Sequence, residues 1–466
     1  MNDFKLTKES QKCIKYVLNN NLLLNNFAQF QKNVTSSKFI NNTKNIIHNV
    51  HKHQHKKQHI NHPKKISLGN KYPLTYKLFM CAYKHKIIDL LIENLSHKQK
   101  LHINDILKNN NIKKFTIFYN EHQHLFNYDK LNNYVKQKHN ADILKILQLM
   151  NINEPIYKLL YDNPFMPLDV QFDAEQNDLN YDEYKLEDGS EIHLYTYSNK
   201  PHNINIDIIC NLIYIVKNIA KRSEPVKLNI FNSDKKKHLN KVNYDCNCKH
   251  LSPVNINTGS TLKLKFINIW RNEEMNKVLI HELVHYYDID MDIYSAKSIM
   301  CDNMIKKLFN ITPNSDDYVN ESYTEIVALI INTLYISYIS SIDFFLLLWL
   351  EVSFNMIQVT KIISYYELSH SRCILQKSSN CNENKISQST SVLSYFIIKC
   401  CVINNLCDIL NFLDNGVKFG DRESEYMELI NKALTNDTFY EYIDKNIKNI
   451  QINDFDTLRM TCLQIE

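Results

Sequence analysis

The spacing of apolar residues divides this chain into a helical first third and a mixed remainder. Apolar positions recur at helical spacing within residues 76–95, 103–107 and 143–160. We therefore predict a mostly helical N-terminal region over residues 1–165. After residue 190 the pattern changes, and strands alternate with helices.

Two polar segments interrupt this first part of the chain. Residues 48–65 are rich in Lys and His and contain His48, His51, His53, His55, His59 and His62. Such a tract can bind metals loosely, but nothing fixes its geometry, so we predict a solvated loop. Residues 166–190 are rich in Asp and Glu, and we predict an acidic linker there.

The pattern of residues 191–290 predicts an α+β lobe. Residues 191–197 alternate like a strand, 206–220 follow a helical period, and 226–231 and 261–270 are again strand-like. A helix follows over residues 273–287, and Asn272 is a candidate for its N-cap. The order favours a small mixed sheet packed beside that helix. Residues 291–466 are expected to form a helical lobe, which together with 191–290 makes one catalytic domain.

The most apolar segment, residues 326–350, is long enough to be considered as a membrane span. Asn332 and Asp343 argue against a span, because polar and charged groups are costly in a bilayer. We predict two buried helices instead, broken near Ser340 and Ser341, with Ser341 as a possible N-cap. No membrane association is expected.

Composition limits the classes of protein that remain. The chain has 466 residues, 44% hydrophobic and 23% charged, and a net charge of +5, which is typical of a globular protein. Its basic residues are mostly Lys, whereas nucleic-acid readout favours Arg, so no nucleic-acid partner is expected. The twelve cysteines are scattered, which favours free thiols in a reducing compartment. The N-terminus carries no apolar core segment, so we expect a cytoplasmic protein that is not secreted.

One motif carries recognisable chemistry. The segment 278–287 contains His281-Glu282-Leu283-Val284-His285, the pattern H-E-x-x-H, in a run without Pro or Gly. Residues four apart share one face of a helix, so both imidazoles can bind one metal ion. Glu282 lies beside that face, where its carboxylate can take a proton from a metal-bound water. This spacing indicates metal-assisted hydrolysis.

A catalytic zinc usually needs a third protein ligand. The pattern H-E-x-x-H-x-x-G-x-x-H is excluded, because Asp288 and Met291 occupy its Gly and third His positions. The best carboxylate candidate is Glu321, in the helix-like segment Asn320-Glu321-Ser322-Tyr323-Thr324-Glu325. The remaining candidates are the acidic residues Glu325, Asp316, Asp317, Asp288 and Asp290.

Together, H-E-L-V-H and N-E-S-Y-T-E resemble the gluzincin metallopeptidases, in which a downstream helix supplies a glutamate ligand. The resemblance implies a zincin-like fold, one Zn²⁺ ion bound by His281, His285 and Glu321, and Glu282 as the general base. It also implies that Glu325 is an acidic partner that orients the first histidine. The separation of His285 from Glu321 is longer than in the best-known gluzincins, so an inserted helix or loop is expected between them. The succession of N-T-G-S-T (257–261), I-W-R-N-E-E (269–274) and H-E-L-V-H (281–285) also resembles metallopeptidases of large cytoplasmic DNA viruses.

Gluzincins commonly add a Tyr or His that donates to the oxyanion of the tetrahedral intermediate. The candidates are Tyr365, Tyr366, His370 and Tyr395. We favour Tyr395, because a donor from a later helix can fold back over the cleft.

These patterns predict a zinc-dependent peptidase that acts on a protein or peptide, in the host cytoplasm or in a virion. A free strand edge beside the motif helix can hold an extended peptide by main-chain hydrogen bonds. One alternative is a catalytically inactive scaffold or virion structural protein with a metallopeptidase fold. Another is a membrane-embedded protease.

Overall fold

A computed structural model shows a mixed α+β protein, 59% helical and 12% strand, with a small mixed sheet. The predicted fold class is confirmed at this level. The residues that the structure describes are 5–20, 22–24, 36–53, 56–68, 73–122, 125–138, 140–150, 155–161, 163, 165–239, 249–292, 294–312, 318–376, 381, 384–448, 450 and 456–465.

The main sheet has six strands in the order β1-β2-β3-β4-β6-β5. They are β1 (Lys57–Ser67), β2 (Asp178–Leu186), β3 (Glu191–Tyr197), β4 (Lys227–Phe231), β5 (Gly259–Leu262) and β6 (Phe266–Ile269). The pairs β3–β4 and β4–β6 are parallel, whereas β1–β2, β2–β3 and β5–β6 are antiparallel. Two short strands, β7 (Ile311–Thr312) and β8 (Ile386–Ser387), pair in parallel elsewhere.

Helices surround this sheet and fill the C-terminal half. Those that precede the motif are α1 (Lys8–Asn19), α2 (Lys38–Lys52), α3 (Leu74–Lys84), α4 (His97–Lys108), α5 (Ile112–His122), α6 (Tyr128–Lys138), α7 (Ala141–Met150), α8 (Pro155–Tyr161), α9 (Leu168–Gln176), α10 (Ile206–Ala220) and α11 (Pro253–Ile256). The motif helix and those after it are α12 (Met275–Tyr286), α13 (Ala296–Leu308), α14 (Tyr318–Ser340), α15 (Phe344–Tyr365), α16 (Lys399–Asn404), α17 (Leu406–Asp414), α18 (Glu423–Ala433) and α19 (Asp437–Asn446). A π-helix, Leu393–Ile398, leads directly into α16.

The motif helix α12 lies at the centre of the largest apolar core. It packs against β5 and β6 on one side and against α10 and α14 on others. The same core includes buried residues of α1 and α2, such as Val17 and Ile47. A second core, within residues 76–168, belongs to the helices α3–α7 and their neighbours. The motif helix is therefore held between the hairpin β5–β6 and two long helices.

The predicted domain boundaries differ from this arrangement. Residues 1–165 do contain many helices, but β1 joins the main sheet and α1 and α2 join the main core. The predicted loop over 48–65 is wrong where the structure describes it, because α2 extends to Lys52 and β1 begins at Lys57. His55 of that tract lies outside the described residues. The predicted linker over 166–190 is also wrong, because α9 and β2 occupy it.

Two local predictions near the motif are also corrected. The predicted strand over 261–270 is a hairpin, β5 and β6, which turns at Leu264 with a positive φ of 55°. Helix α12 begins at Met275, and its N-cap is Glu274 rather than Asn272. The Glu274 carboxylate accepts hydrogen bonds from the backbone N–H groups of Met460 and Thr461, 2.5 and 2.6 Å away. The start of α12 is thus fixed by a buried C-terminal segment that local sequence does not reveal.

The apolar segment forms two helices, α14 and α15, as predicted, with a break between Ser340 and Phe344. The N-cap of α15 is Asp343 and not Ser341, since the Asp343 carboxylate accepts a hydrogen bond from Leu346 N. In the described part of the chain, both helices are long and apolar enough to cross a membrane, and 83% and 89% of their apolar windows are buried inside the protein.

Candidate metal centre

Two histidines of α12 point their Nε2 atoms toward each other. His281 and His285 are one turn apart, and their Nε2 atoms lie 3.0 Å from each other. The two rings are close to perpendicular, at 78°. Because the helix is packed against its neighbours, the two imidazoles have a fixed position relative to α14.

Glu321, in the first turn of α14, completes a set of three donor atoms. Its Oε2 lies 3.3 Å from His281 Nε2 and 3.5 Å from His285 Nε2. Tetrahedral zinc with bonds of about 2.0–2.1 Å separates its ligand atoms by roughly 3.3–3.4 Å. Within the described structure, Glu321 Oε2 is buried and has no hydrogen bond of good geometry. The three atoms fit one small cation.

Carboxylates also flank the outer edge of each imidazole. Glu325 Oε1 lies 2.9 Å from His281 Nδ1, and Asp290 Oδ2 lies 2.5 Å from His285 Nδ1. An acceptor at Nδ1 holds the proton there and leaves Nε2 free to bind a metal. Glu325 thus occupies the place expected for the acidic partner of His281. Asp290, a candidate ligand in the sequence, lies on the outer side of His285 instead.

The carboxylate of Glu325 is bound by two lysines that sequence reasoning missed. Lys277 Nζ contacts Oε1, and Lys399 Nζ lies 3.3 Å from Oε2. All three side chains are almost completely buried. Burial favours the neutral acid, but the two ammonium groups and His281 outweigh it and hold the pKa of Glu325 well below its usual range. Glu325 therefore remains ionised beside His281.

Asn320 joins the other outer carboxylate to the helix that carries Glu321. Its Nδ2 donates to Asp290 Oδ2 over 3.1 Å, and its Oδ1 accepts from Met291 N over 3.0 Å. The turn after α12 is thereby attached to the residue that precedes Glu321. This contact fixes Glu321 relative to His285.

Glu282 lies against the hairpin strand β5. Thr261 Oγ1 is 2.7 Å from Glu282 Oε2 and 3.0 Å from the Glu282 backbone oxygen. Burial raises the pKa of the Glu282 carboxyl, although the nearby imidazoles and Thr261 act in the opposite direction. Among the described strands, β5 pairs only with β6, so Glu282 is held beside a sheet edge.

The charges around the three donors favour a cation. Burial opposes charge on His285, but Asp290 and Glu321 outweigh it and raise its pKa well above the usual range. Burial likewise opposes charge on Glu321, yet the imidazoles lower its pKa to about 2. A bound cation can take the place of the protons that the imidazoles would otherwise hold.

Tyr395 is the candidate oxyanion donor that lies nearest to the imidazoles in the described contacts. Its ring centroid is 6.0 Å from that of His281. It belongs to the π-helix Leu393–Ile398, and single π turns occur frequently at functional sites.

The other candidate donors and ligands lie elsewhere. Tyr366 donates to the Ser387 backbone oxygen, Tyr365 packs near Lys249, and His370 lies beside two cysteines. Asp288 pairs with Lys263 and Lys418. Asp316 and Asp317 lie outside the described residues.

The H-E-x-x-H motif pointed to His281, Glu282 and His285, and the resemblance carried by the second motif pointed to Glu321 and Glu325. No signal pointed to Lys277, Lys399 or Thr261, because a buried lysine and a strand threonine look ordinary in a sequence. The chain matches no protein-family model, no curated protein and no solved structure.

Proposed function

We propose that this chain is a zinc-dependent peptidase of the gluzincin type, with a zincin-like fold. One Zn²⁺ ion is bound by His281, His285 and Glu321, and Glu282 is the general base. The observation that carries the proposal is the convergence of three donor atoms from two helices, 3.0–3.5 Å apart, next to the glutamate of the same H-E-x-x-H motif.

The donor set supports zinc among the common metals. Two imidazoles and one carboxylate form the His₂Glu set of catalytic zinc sites, which leaves one position for water or substrate. A zinc ion held there would supply a Lewis acid that lowers the pKa of water and polarises a substrate carbonyl.

The residues of the chain perform the proton transfers. Glu282 takes a proton from the attacking water and later gives it to the leaving amine. Burial raises the pKa of this carboxyl, which favours its taking up the proton. Thr261 donates a hydrogen bond to this carboxylate and so restricts its rotation.

The outer carboxylates position the ligands. Asp290 accepts the Nδ1 proton of His285, and Glu325 Oε1 lies 2.9 Å from Nδ1 of His281. Both carboxylates favour a proton on Nδ1 and thereby direct the Nε2 lone pairs inward. Lys277 and Lys399 keep Glu325 ionised, which maintains its attraction for a proton on His281 Nδ1 at neutral pH.

The proposed substrate is a protein or peptide. Strand β5 stands at one end of the sheet order and carries the contact to Glu282. An extended peptide can add to such an edge by main-chain hydrogen bonds. We propose no nucleic-acid or membrane partner, and a location in the cytoplasm of a host cell or in a virion.

The decisive experiment measures bound metal and peptide cleavage on the same preparations. Zinc is quantified by elemental analysis, and cleavage of a mixed peptide library is followed by mass spectrometry. The parent chain should bind zinc at His281, His285 and Glu321 and cleave peptides. Glu282→Gln should retain this zinc and lose cleavage by at least about 100-fold, because the amide cannot accept a proton. Glu321→Ala should lose this zinc.

Glu428→Gln is the matched control, since Glu428 is exposed on α18. It should retain both zinc and cleavage. Cleavage by Glu282→Gln at the parent rate would overturn the assigned base. Full zinc occupancy without cleavage in the parent would instead favour a metal-binding scaffold.

A further inference from the structure

A second cluster of metal-binding side chains lies apart from the three donors described above. His370 precedes a short 3₁₀-helix, Ser371–Ile374, that contains Cys373, and Cys381 follows a few residues later. One donor atom of each residue lies within 4.8 Å of the other two. Cys381 Sγ and His370 Nε2 are 3.8 Å apart. Cys373 and Cys381 are joined by a disulfide in this structure.

The other cysteines indicate whether Cys373 and Cys381 are oxidised or reduced in the cell. Eight further cysteines in the described part of the chain are free thiols, and most of them are buried. They are Cys13, Cys81, Cys210, Cys301, Cys400, Cys401, Cys407 and Cys462. A chain with so many thiols suits a reducing compartment, where Cys373 and Cys381 would also be thiols.

We propose that, in the reduced chain, His370, Cys373 and Cys381 bind one Zn²⁺ ion. Two thiolates and one imidazole are a set that zinc prefers and that Ca²⁺ and Mg²⁺ do not. Metal binding releases the two thiol protons to solvent and requires no oxidant. Cys373 is fully buried, whereas His370 and Cys381 are half-buried, so the fourth position can be filled by water.

Oxidation and zinc binding exclude each other at this site. A disulfide has no thiolate to offer a metal, so the oxidised form binds no ion here. A dithiol reductant converts one form to the other, because it transfers two electrons and two protons to the disulfide and becomes a disulfide itself. The same two sulfurs therefore form either a covalent bond or two metal bonds.

The position of the cluster gives it a structural role. Asn310 N donates to the Ile374 backbone oxygen over 2.7 Å, and Ile386 N donates to the Asn310 backbone oxygen over 3.2 Å. Ile374, next to Cys373, and Ile386, which follows Cys381, are thus both attached to Asn310, between the end of α13 and β7. A metal ion bound by His370, Cys373 and Cys381 would fix this corner of the protein, and it would take no part in peptide hydrolysis.

Cobalt substitution tests the proposal on the full-length chain. The protein is reduced with dithiothreitol, stripped of metal with a chelator, freed of both reagents under an inert atmosphere, and titrated with Co²⁺. Thiolate ligands give an intense charge-transfer band in the near ultraviolet, which histidine and glutamate ligands do not give. The reduced chain should show this band, and the chain oxidised with a glutathione disulfide should lack it.

Variants locate the signal and separate it from the first site. Cys373→Ser/Cys381→Ser should lose the band, and His370→Ala should weaken Co²⁺ binding there at least about 10-fold. His281→Ala/Glu321→Ala should keep the band, whether or not the chain cleaves peptides. Cys407→Ser, at an exposed free cysteine, is the matched control and should keep it too.

A second measurement needs no variant and so does not depend on folding of the mutants. Zn²⁺ should slow alkylation of Cys381 by iodoacetamide in the reduced parent chain at least about 10-fold and leave the rate at Cys407 unchanged. Equal rates at Cys381 with and without zinc would overturn the proposal. So would a thiolate band that persists in Cys373→Ser/Cys381→Ser, or its absence from the reduced parent.

Discussion

Gly259 lies so close to Glu282 that a Cβ atom on the glycine would come within 2.6 Å of Glu282 Oε1. The same Cβ would lie 2.9 Å from Val278 Cγ1, on the preceding turn of α12. Real Cβ atoms do not approach other heavy atoms this closely. Any side chain at residue 259 therefore requires β5 or the Glu282 carboxylate to move.

We expect Gly259→Ala to impair peptide cleavage and to spare the zinc ligands. The clash falls on Glu282 and Val278, whereas none of the three candidate metal donors is among the nearest atoms that the added Cβ would meet. A displacement of about 1 Å at a reacting group can lower kcat about 100-fold. The measurement is kcat/KM together with zinc content. Ser260→Ala, at the next residue of β5, is the control and should behave as the parent. An unchanged kcat/KM in Gly259→Ala would show that Glu282 does not depend on this packing.

Asp290→Asn should weaken zinc binding about 10–100-fold, the usual effect of removing a carboxylate that orients a ligating histidine. Asp290 Oδ2 is 2.5 Å from His285 Nδ1, and an amide is a weaker acceptor. The measurement is competition for zinc against a chromophoric chelator.

Asp288→Asn is a closely matched control for that experiment, because the two aspartates flank the same turn. Asp288 pairs with Lys263 and Lys418 instead of a histidine. Its φ is +60°, a conformation that Asn also tolerates. Equal zinc affinities for the two variants would refute the role of Asp290.

The pairing of His281 with His285 was predictable because its geometry is local, fixed by helical periodicity alone. Periodicity also places Glu321 and Glu325 on one helix face, but their position beside the histidines was implied only by the resemblance to gluzincins. Lys277 and Lys399 were missed because their meeting at Glu325 depends on how three elements pack. Asp290 was noticed only as a possible ligand, since sequence distance does not reveal which side of an imidazole a carboxylate approaches.

The incorrect predictions of secondary structure have a similar origin. The pattern of residues 261–270 predicts one strand and misses the hairpin β5–β6, because the turn residue Leu264 has a positive φ without being Gly or Asn. The segments of β1 and β2 are rich in polar residues, which predicts a loop and a linker, although both strands lie at one end of the sheet. Strand β1 pairs with β2, and β2 pairs with β3. These hydrogen bonds between strands define them, since neither segment has the apolar alternation of a strand.

Tyr395→Phe should lower kcat about 10–100-fold and leave zinc content unchanged, if the hydroxyl stabilises the oxyanion. The ring packs 6.0 Å from that of His281, so its removal by a smaller residue would also disturb packing, whereas Phe retains the ring. The measurement is kcat and KM for one cleaved peptide. Tyr365→Phe is the control, since Tyr365 packs near Lys249. Parent activity in Tyr395→Phe would exclude this tyrosine as the donor.

Glu351 should make the stability of the fold depend on pH near neutrality. Burial raises the pKa of its carboxyl to about 7, although Thr461 Oγ1 and the backbone N–H of Leu463 donate to it. The unfolded chain loses the same proton near pH 4.5. The folded state therefore binds an extra proton between these values. Its stabilising effect is complete below about pH 4.5 and is lost as the pH rises through about 7.

Glu351→Gln should flatten this dependence, because a neutral amide can still accept from the Leu463 N–H and has no proton to lose. The difference in unfolding free energy between parent and variant should change by about 3 kcal/mol across that range, in favour of the variant at higher pH. The measurement is urea or thermal unfolding of zinc-saturated protein at a series of pH values. Glu428→Gln should retain the slope of the parent. If Glu351→Gln retains the parent slope as well, the pH dependence of stability comes from other groups. The contact between Glu351 and the C-terminal segment would then not depend on the charge of Glu351.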